Sequence, residues 1–193
     1  MKLGAVILAA GAGSRLGGVA KALLPIDDTT YLARIASTAR SVGLSHGVVV
    51  VAEPYRAAVA VHARELGLAV CVNPEPARGM ASSIALGFAS LVAIGELDAA
   101  WLWPVDHPAV REDTLTTLAA HLARHEAVRP VYRGRGGHPP LVARSLWDRL
   151  ARCDVVDGRA RAVIASAATR AIEIADPGVV QDVDTPGDRE RVR

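Results

Sequence analysis

The amino-acid sequence predicts an α/β fold of three layers, in which a mostly parallel β-sheet lies between two layers of helices. Two observations predict it. Apolar segments of strand length alternate with helical patterns along most of the 193 residues, which is the order expected of successive β–α–β units. The first apolar segment, Leu3–Leu8, is continuous, as expected of a strand that helices cover on both faces. In such a sheet, ligands bind beyond the carboxyl ends of the strands.

Each further element follows from local spacing and from residues that begin or end helices. Apolar residues recur at helical spacing over 31–39, after a polar start at Asp27. Pro54 suits the first turn of a second helix, over 54–66, and Gly67 ends it. By the same criteria the remaining strands are predicted at 48–51, 68–72, 99–103, 128–132 and 171–174, and the remaining helices at 80–94, 111–125, 145–151 and 159–167.

Length, composition and charge limit the classes of protein that fit. The chain is 51% hydrophobic and 22% charged, as an ordinary globular protein is, and its length favours a single domain over residues 1–193. The formal net charge is +2 without a long run of either sign, so we expect neither nucleic acid nor a membrane as a partner. The apolar start of the chain is too short for a membrane span, and Cys71 and Cys153 cannot build a disulfide framework. We therefore expect a cytoplasmic protein.

The most informative segment follows the first strand and reads LAAGAGSRLGGVAKALLPI over residues 8–26. Its glycines leave backbone N–H groups free to face an anion, and Arg15 and Lys21 add two cations, which together suit a nucleotide triphosphate. A phosphate-binding loop of the NTPase type needs Ser or Thr after the lysine, where this chain has Ala22. A dinucleotide-binding loop needs a tighter glycine spacing and a helix that Pro25 would break. A turn that binds nothing stays open, although it needs no cations.

Three segments follow predicted strand ends: the glycine-rich segment after Leu8, the segment at Asn73 and the segment at Asp106. Because the carboxyl ends of parallel strands lie at the same edge of a sheet, we expect all three to meet at one crevice.

The glycine-rich segment is similar to the signature of the nucleotidyltransferases that activate sugars, isoprenoid precursors and the molybdenum cofactor. Four later segments narrow the match: NPEPARGMASSIALG at 73–87, WPVDHP at 103–108, GGHPPLVA at 136–143 and QDVDTPGD at 181–188. Together, over nearly the whole chain, they resemble the molybdenum cofactor cytidylyltransferases and their MobA-like relatives. This resemblance implies a Rossmann-like nucleotidyltransferase fold. It also implies catalytic roles for Arg15 and Lys21 and a nucleotide-binding set of Leu8, Ala9, Ala10, Gly11, Gly13, Ser14, Arg15, Lys21, Asn73, Gly79, Ser82 and Ser83.

Two aspartates are candidate metal ligands. Moving a nucleotidyl group brings a triphosphate next to a second phosphate, and a divalent cation held by carboxylates offsets that crowding of negative charge. Asp106 comes just after a predicted strand, and Asp184 lies 78 residues later. From the residues alone, a helix-cap or turn role is open for each of them. The resemblance implies that both bind Mg²⁺.

The segment 133–140 combines glycines with two arginines and an imidazole. On composition alone a solvated surface turn is equally open. The resemblance implies that Gly137 and His138 lie on the acceptor side of the cleft.

The reaction implied is the transfer of CMP from CTP to a phosphate of molybdopterin or its molybdenum cofactor, with release of pyrophosphate. Within the family, Ala-Ala-Gly after the first strand goes with cytidine and a second glycine goes with guanosine, and Ala10 occupies the position that differs. A molybdoenzyme or its chaperone is an expected protein partner. Two alternatives stay open: an acceptor of another kind, such as a sugar phosphate, and a nucleotide-binding regulatory domain without turnover.

Overall fold

A computed structural model describes residues 1–11, 18–153, 159–183 and 188. Its strands are β1 (Leu3–Leu8), β2 (Pro25–Ile26), β3 (Thr29–Thr30), β4 (Leu44–Val51), β5 (Ala69–Val72), β6 (Ala99–Pro104), β7 (Ala127–Tyr132), β8 (Arg135–Gly136), β9 (Leu141–Ala143) and β10 (Thr169–Glu173). Its α-helices are α1 (Tyr31–Ser41), α2 (Arg56–Glu65), α3 (Met80–Ile94), α4 (Glu112–His121), α5 (Trp147–Leu150) and α6 (Arg159–Ser166).

The predicted mostly parallel sheet is confirmed. The strand order is β10-β7-β9-β6-β1-β4-β5, with β8 paired to β7, while β2 and β3 form a separate hairpin. Strand β1 is parallel to both of its neighbours, β4 and β6. Strand β9 is antiparallel to β6 and to β7, and so separates the parallel pair β7–β10 from the rest of the sheet.

The three-layer arrangement is confirmed by two separate sets of buried side chains, one on each face of the sheet. On one face, Leu32 of α1, Val59 of α2 and Leu115 of α4 pack against the inner strands. On the other face, Phe88 of α3 and Trp147 of α5 pack together, with their ring centroids 5.8 Å apart. Strand β1 is buried along its whole length, as its continuous apolar sequence predicts.

The predicted elements are present, and their ends differ from the prediction by a few residues. The helix predicted at 111–125 ends as α4 at His121 and continues as a 3₁₀ turn, Leu122–Arg124. Strand β4 begins four residues before its predicted start. The short strands β2, β3, β8 and β9 were not predicted, because two or three residues are too few to show a period. Within the described ranges, none of the helices is long and apolar enough to cross a lipid bilayer.

Candidate functional site

The candidate site lies at the carboxyl ends of β1 and β6, which are neighbours in the sheet. The chain leaving β1 stays beside β4, since the amide of Ala9 donates to the carbonyl of Val50 at 2.9 Å. The chain leaving β6 stays beside β1, since the amide of Val105 donates to the carbonyl of Leu8 at 3.1 Å. The glycine-rich segment and the Asp106 segment therefore start from adjacent points on one edge, as the sequence predicts.

Lys21 and Asp106 face each other across this edge. The Nζ of Lys21 lies 3.3 Å from Oδ2 of Asp106, with the side chains 15% and 27% exposed. Lys21 begins a 3₁₀ turn, Lys21–Leu23, which fixes the position of its backbone. The chain has only two lysines. The other one, Lys2, is paired with Glu96 away from this site. The compact ammonium group is suited to contact with phosphate oxygens as a point charge.

The second carboxylate oxygen of Asp106 is the unusual atom of the site. Oδ1 is buried and has no hydrogen-bond partner among the described residues, and Nε2 of His107 lies 3.9 Å from it. Buried polar atoms normally have a partner, so an orphaned carboxylate oxygen calls for an explanation. Divalent cations such as Mg²⁺ bind carboxylate oxygens, and the Asp106 side chain therefore fits the chemistry of a metal ligand.

The C-terminal segment reaches Asp106 as well. The amide of Val183 donates to the carbonyl of Asp106 at 2.9 Å, so the chain that leads to Asp184 is attached to the backbone of the first predicted ligand. Asp184 itself lies outside the described residues, as do Gly13, Ser14 and Arg15.

Two histidine rings lie next to Asp106. The rings of His107 and His138 have centroids 4.9 Å apart with planes tilted by 40°, and Nδ1 of each is buried without a hydrogen-bond partner in the described part of the chain. Trp103 holds the backbone of His107 by donating from Nε1 to its carbonyl at 2.9 Å. Burial lowers the pKa of His107, although the negative charge of Asp106 opposes the shift. Burial, reinforced by the neighbouring His107, lowers the pKa of His138 to about 4, so its imidazole is neutral near pH 7.

The loop that carries Gly137 and His138 is attached to the rest of the fold at both residues. The amide of His138 donates to the carbonyl of Val179 at 2.8 Å, and that of Gly137 donates to the carbonyl of Pro130 at 2.9 Å. A Cβ atom at position 137 would overlap the carbonyl oxygen of Val179, so only glycine allows this close approach. The loop is therefore held beside the Asp106 edge rather than projecting into solvent as a free turn.

Asn73 begins the loop after β5 and connects this loop to the start of α3 by hydrogen bonds. Its Nδ2 donates to the hydroxyls of Ser82 and Ser83, each at 2.9 Å, and its Oδ1 accepts from the amide of Glu75 at 2.9 Å. Ser82 in turn donates to the carbonyl of Gly79 at 2.8 Å. All three side chains are buried. Their bonds fix the position of the α3 N-terminus, and a direct contact with a nucleotide stays a prediction for these residues.

The remaining predicted nucleotide-binding residues follow β1. Leu8 ends the strand and is buried, Ala9 and Ala10 are partly buried, and Gly11 is exposed at the end of the described segment. Their backbone groups lie at the carboxyl edge of the sheet, and their contact with a nucleotide base stays a prediction.

His107 was not among the residues predicted for the site. It follows Asp106 directly in WPVDHP, and that adjacency was the available signal. Its contact with His138 joins residues 31 positions apart, and only the fold shows it.

The chain is similar to known proteins in sequence and in fold. The sequence pattern of the MobA-like NTP transferase domain matches residues 5–172. Nicotine blue oxidoreductase from Paenarthrobacter nicotinovorans is 31% identical over 192 residues, which span 93% of this chain and 91% of that protein.

Several solved structures share the fold of this chain. Rv0371c from Mycobacterium tuberculosis H37Rv is 28% identical with a TM-score of 0.80, covering 100% of this chain and 97% of that chain. A complex of the same protein with manganese is 27% identical with a TM-score of 0.75, covering 100% and 98%. A nucleotidyl transferase from Methanothermobacter thermautotroptrophicus shares the fold at 21% identity, with a TM-score of 0.81 and coverage of 100% and 96%.

Proposed function

The chain belongs to the family of MobA-like NTP transferase domains, and from this premise we propose that it transfers CMP from CTP to a phosphate of a small-molecule acceptor. The observation that carries the proposal is the Lys21–Asp106 pair, 3.3 Å apart at the carboxyl edge of β1 and β6. At that edge the cation can contact the phosphates of a metal-bound triphosphate, and the carboxylate can bind its metal ion.

The chemistry asks little of the protein beyond positioning and charge. A terminal phosphate oxygen of the acceptor attacks the α-phosphorus of CTP in line, forming the new P–O bond as the bond to pyrophosphate breaks. That oxygen is already ionised near neutral pH, so no general base is required. Lys21 and, by the family resemblance, Arg15 face the negative charge that accumulates on the phosphates, and a fixed cation stabilises it more than mobile water does.

We assign Asp106 and Asp184 as the residues that hold Mg²⁺. The orphaned Oδ1 of Asp106 and the bond from Val183 to the Asp106 backbone support this assignment. The similar Rv0371c protein has been obtained in complex with manganese, which is another hard divalent cation. When bound, the metal would neutralise phosphate charge and orient the triphosphate.

The nucleotide is proposed to be CTP rather than GTP. We expect the methyl group of Ala10 to narrow the space for a purine base beside the end of β1, and one methyl group at such a position discriminates by about 1–3 kcal/mol. With Mg²⁺ present, CTP at about 100 times its dissociation constant should stabilise the protein by roughly 2.7 kcal/mol, which raises the melting temperature by about 5–10 °C. GTP at the same concentration should give a smaller rise.

The matched variant for this measurement is Ala10→Gly, which removes the methyl group alone. We expect it to bring the GTP shift closer to the CTP shift. A larger shift with GTP than with CTP in the unmodified protein would overturn the assignment of the base.

His138 is proposed to lie against the acceptor. Because its pKa is about 4, it acts as a neutral hydrogen-bonding group at pH 7. His138→Ala should raise the KM for molybdopterin or lower kcat, leave Mg·CTP binding nearly intact, and leave the shape of the pH profile between pH 6 and 8 unchanged. His46→Ala, at an exposed position on β4, is the control and should behave as the unmodified protein. Loss of nucleotide affinity with normal acceptor kinetics would assign the loop to the nucleotide half instead.

For the acceptor we propose molybdopterin or its molybdenum cofactor, with a molybdoenzyme or its chaperone receiving the product in the cytoplasm. A pyrophosphate-release assay with Mg²⁺ and CTP tests the acceptor directly. Pyrophosphate release with a sugar phosphate but not with molybdopterin would indicate a nucleotidyltransferase that acts on sugar phosphates. Binding of CTP without release for any acceptor would favour a regulatory domain.

The 31% identity to nicotine blue oxidoreductase supports a second candidate, a redox reaction in the same cleft. Reduction of nicotine blue by an added reductant in a reaction that requires this protein, without pyrophosphate release from CTP, would favour that candidate over nucleotidyl transfer.

A further inference from the structure

A large cavity opens beside His138, on the sheet face that carries α3 and α6. Its volume is about 890 Å³, within the range of cavities that hold small-molecule ligands. Its walls are largely apolar and come from the ends of β1 and β6, the first turns of α3 and the helix α6. The apolar side chains that line it include Leu8, Met80, Ile84, Leu102, Pro104 and Ile164.

Two arginines, Arg129 on β7 and Arg161 on α6, line this cavity. None of the described residues that line it is acidic, and neither guanidinium has a hydrogen-bond or ion-pair partner within the described part of the chain. His138, also on the wall, is neutral near pH 7. Among the described lining residues, the positive charge therefore comes from the two arginines.

Gly136 leaves room for the first arginine. The guanidinium of Arg129 lies against position 136, where a Cβ atom would overlap Nη1 and the side chain would have to shift. The next residues, Gly137 and His138, are the ones that reach the Asp106 edge. The same short segment thus connects the arginine in the cavity to the reacting end of the site.

One large apolar side chain of the lining is exposed. Met80, at the start of α3, is 58% exposed. Apolar side chains close to the two arginines suit a ligand that has an apolar body and a negative charge.

We propose that this cavity binds the acceptor of the proposed reaction as a ring-bearing anion, with Arg129 and Arg161 as its anion-binding residues and Gly136 as the residue that leaves room for the Arg129 guanidinium. Only the identification of the ligand as the acceptor rests on the proposed function. The ring packs against the leucines and isoleucines of the wall, and the charge of the ligand is met by planar guanidinium groups, which suit phosphate and carboxylate oxygens.

The probe for this site is 1-naphthyl phosphate, which combines a flat ring with a phosphate monoester. Binding is measured by titration calorimetry on the full chain, in the presence of saturating Mg·CTP so that the triphosphate site is occupied. Inorganic phosphate and 1-naphthol each lack one half of the probe, and each should bind at least about tenfold more weakly.

Variants separate the cavity from the nucleotide site. Arg129→Ala and Arg161→Ala should each weaken the probe about tenfold or more, the loss expected when a charge-assisted hydrogen bond is removed. Gly136→Ala keeps both charges, displaces the guanidinium of Arg129 and should also weaken the probe. The control is Arg170→Ala on β10, where residue 170 is paired with Val128 and so faces the opposite side of the sheet from Arg129. This control should bind the probe as the unmodified protein does.

Two results would overturn the proposal: no binding of 1-naphthyl phosphate at millimolar concentration, or equal binding by the Arg129, Arg161 and Arg170 variants. If the probe binds in the absence of Mg·CTP but not in its presence, the probe occupies the nucleotide site, and that result would also overturn the proposal. Failure of the proposed function is distinguishable, because the melting shift with Mg·CTP is measured separately in each variant and does not depend on the cavity.

Discussion

Asp106→Asn is expected to lower metal-dependent turnover roughly a hundred- to thousandfold, the loss typical of removing one preorganised electrostatic contact at a reacting phosphate. The amide keeps the shape of the side chain and still accepts from Lys21. It removes the negative charge and the oxygen, Oδ1, for which the described residues provide no hydrogen-bond partner. The measurement is pyrophosphate release from CTP over a series of Mg²⁺ concentrations.

The fold should survive this substitution. The Lys21–Asp106 pair is partly exposed, and ion pairs of that kind contribute about 0–1 kcal/mol to stability. The melting temperature without metal or nucleotide should therefore change by no more than about 2–4 °C. Asp113→Asn is the matched control, since Asp113 is an exposed aspartate paired with Arg111 at the start of α4. Unchanged activity of Asp106→Asn at saturating Mg²⁺ would contradict the metal assignment.

Lys21→Ala is expected to lower kcat roughly a hundred- to thousandfold, because it removes a fixed cation from the phosphates as negative charge accumulates on them. The side chain is only 15% exposed and lies 3.3 Å from Asp106, so little rearrangement is needed for it to act. Removing it also leaves the Asp106 carboxylate without its cation, which should make the variant more dependent on Mg²⁺ than the unmodified protein. Single-turnover and steady-state rates over a metal series measure both effects.

The chain provides an unusually clean control for this substitution. Lys2 is the only other lysine, 61% exposed and paired with Glu96 at the opposite end of β1. Lys2→Ala removes the same charge from the protein and should leave the rate unchanged. If Lys21→Ala and Lys2→Ala turn over equally well, Lys21 does not contact the triphosphate.

Long, strongly patterned elements could be predicted from the sequence. The continuous apolar residues of β1 and the helix α3, Met80–Ile94, lie where their patterns place them. The antiparallel strand β9 was missed because Leu141–Ala143 is three residues long and follows two prolines. Its pairing between β6 and β7 depends on contacts that are distant in sequence, and local periodicity carries no information about such contacts.

The candidate site divides in the same way. Asp106 and Lys21 each belong to a recognisable segment, and the expectation that the two segments meet follows from the rule about strand ends. The contact between the tilted rings of His107 and His138 depends on how the loops fold, and so does the placement of Arg129 over Gly136. Neither contact can be predicted from local sequence. The roles predicted for Gly13, Ser14, Arg15 and Asp184 stay predictions, since those residues lie outside the described ranges.

The measurement that tests the central claim most directly follows the phosphorus atoms of CTP. Two parallel reactions contain Mg²⁺ and molybdopterin, one with CTP labelled at the α-phosphorus and the other with CTP labelled at the γ-phosphorus. The account predicts that the α label moves to the acceptor and that the γ label appears in pyrophosphate. Asp106→Asn should greatly reduce both products. Release of the γ label as inorganic phosphate would contradict nucleotidyl transfer at this site, and so would retention of both labels in CTP with molybdopterin and with every other phosphorylated acceptor.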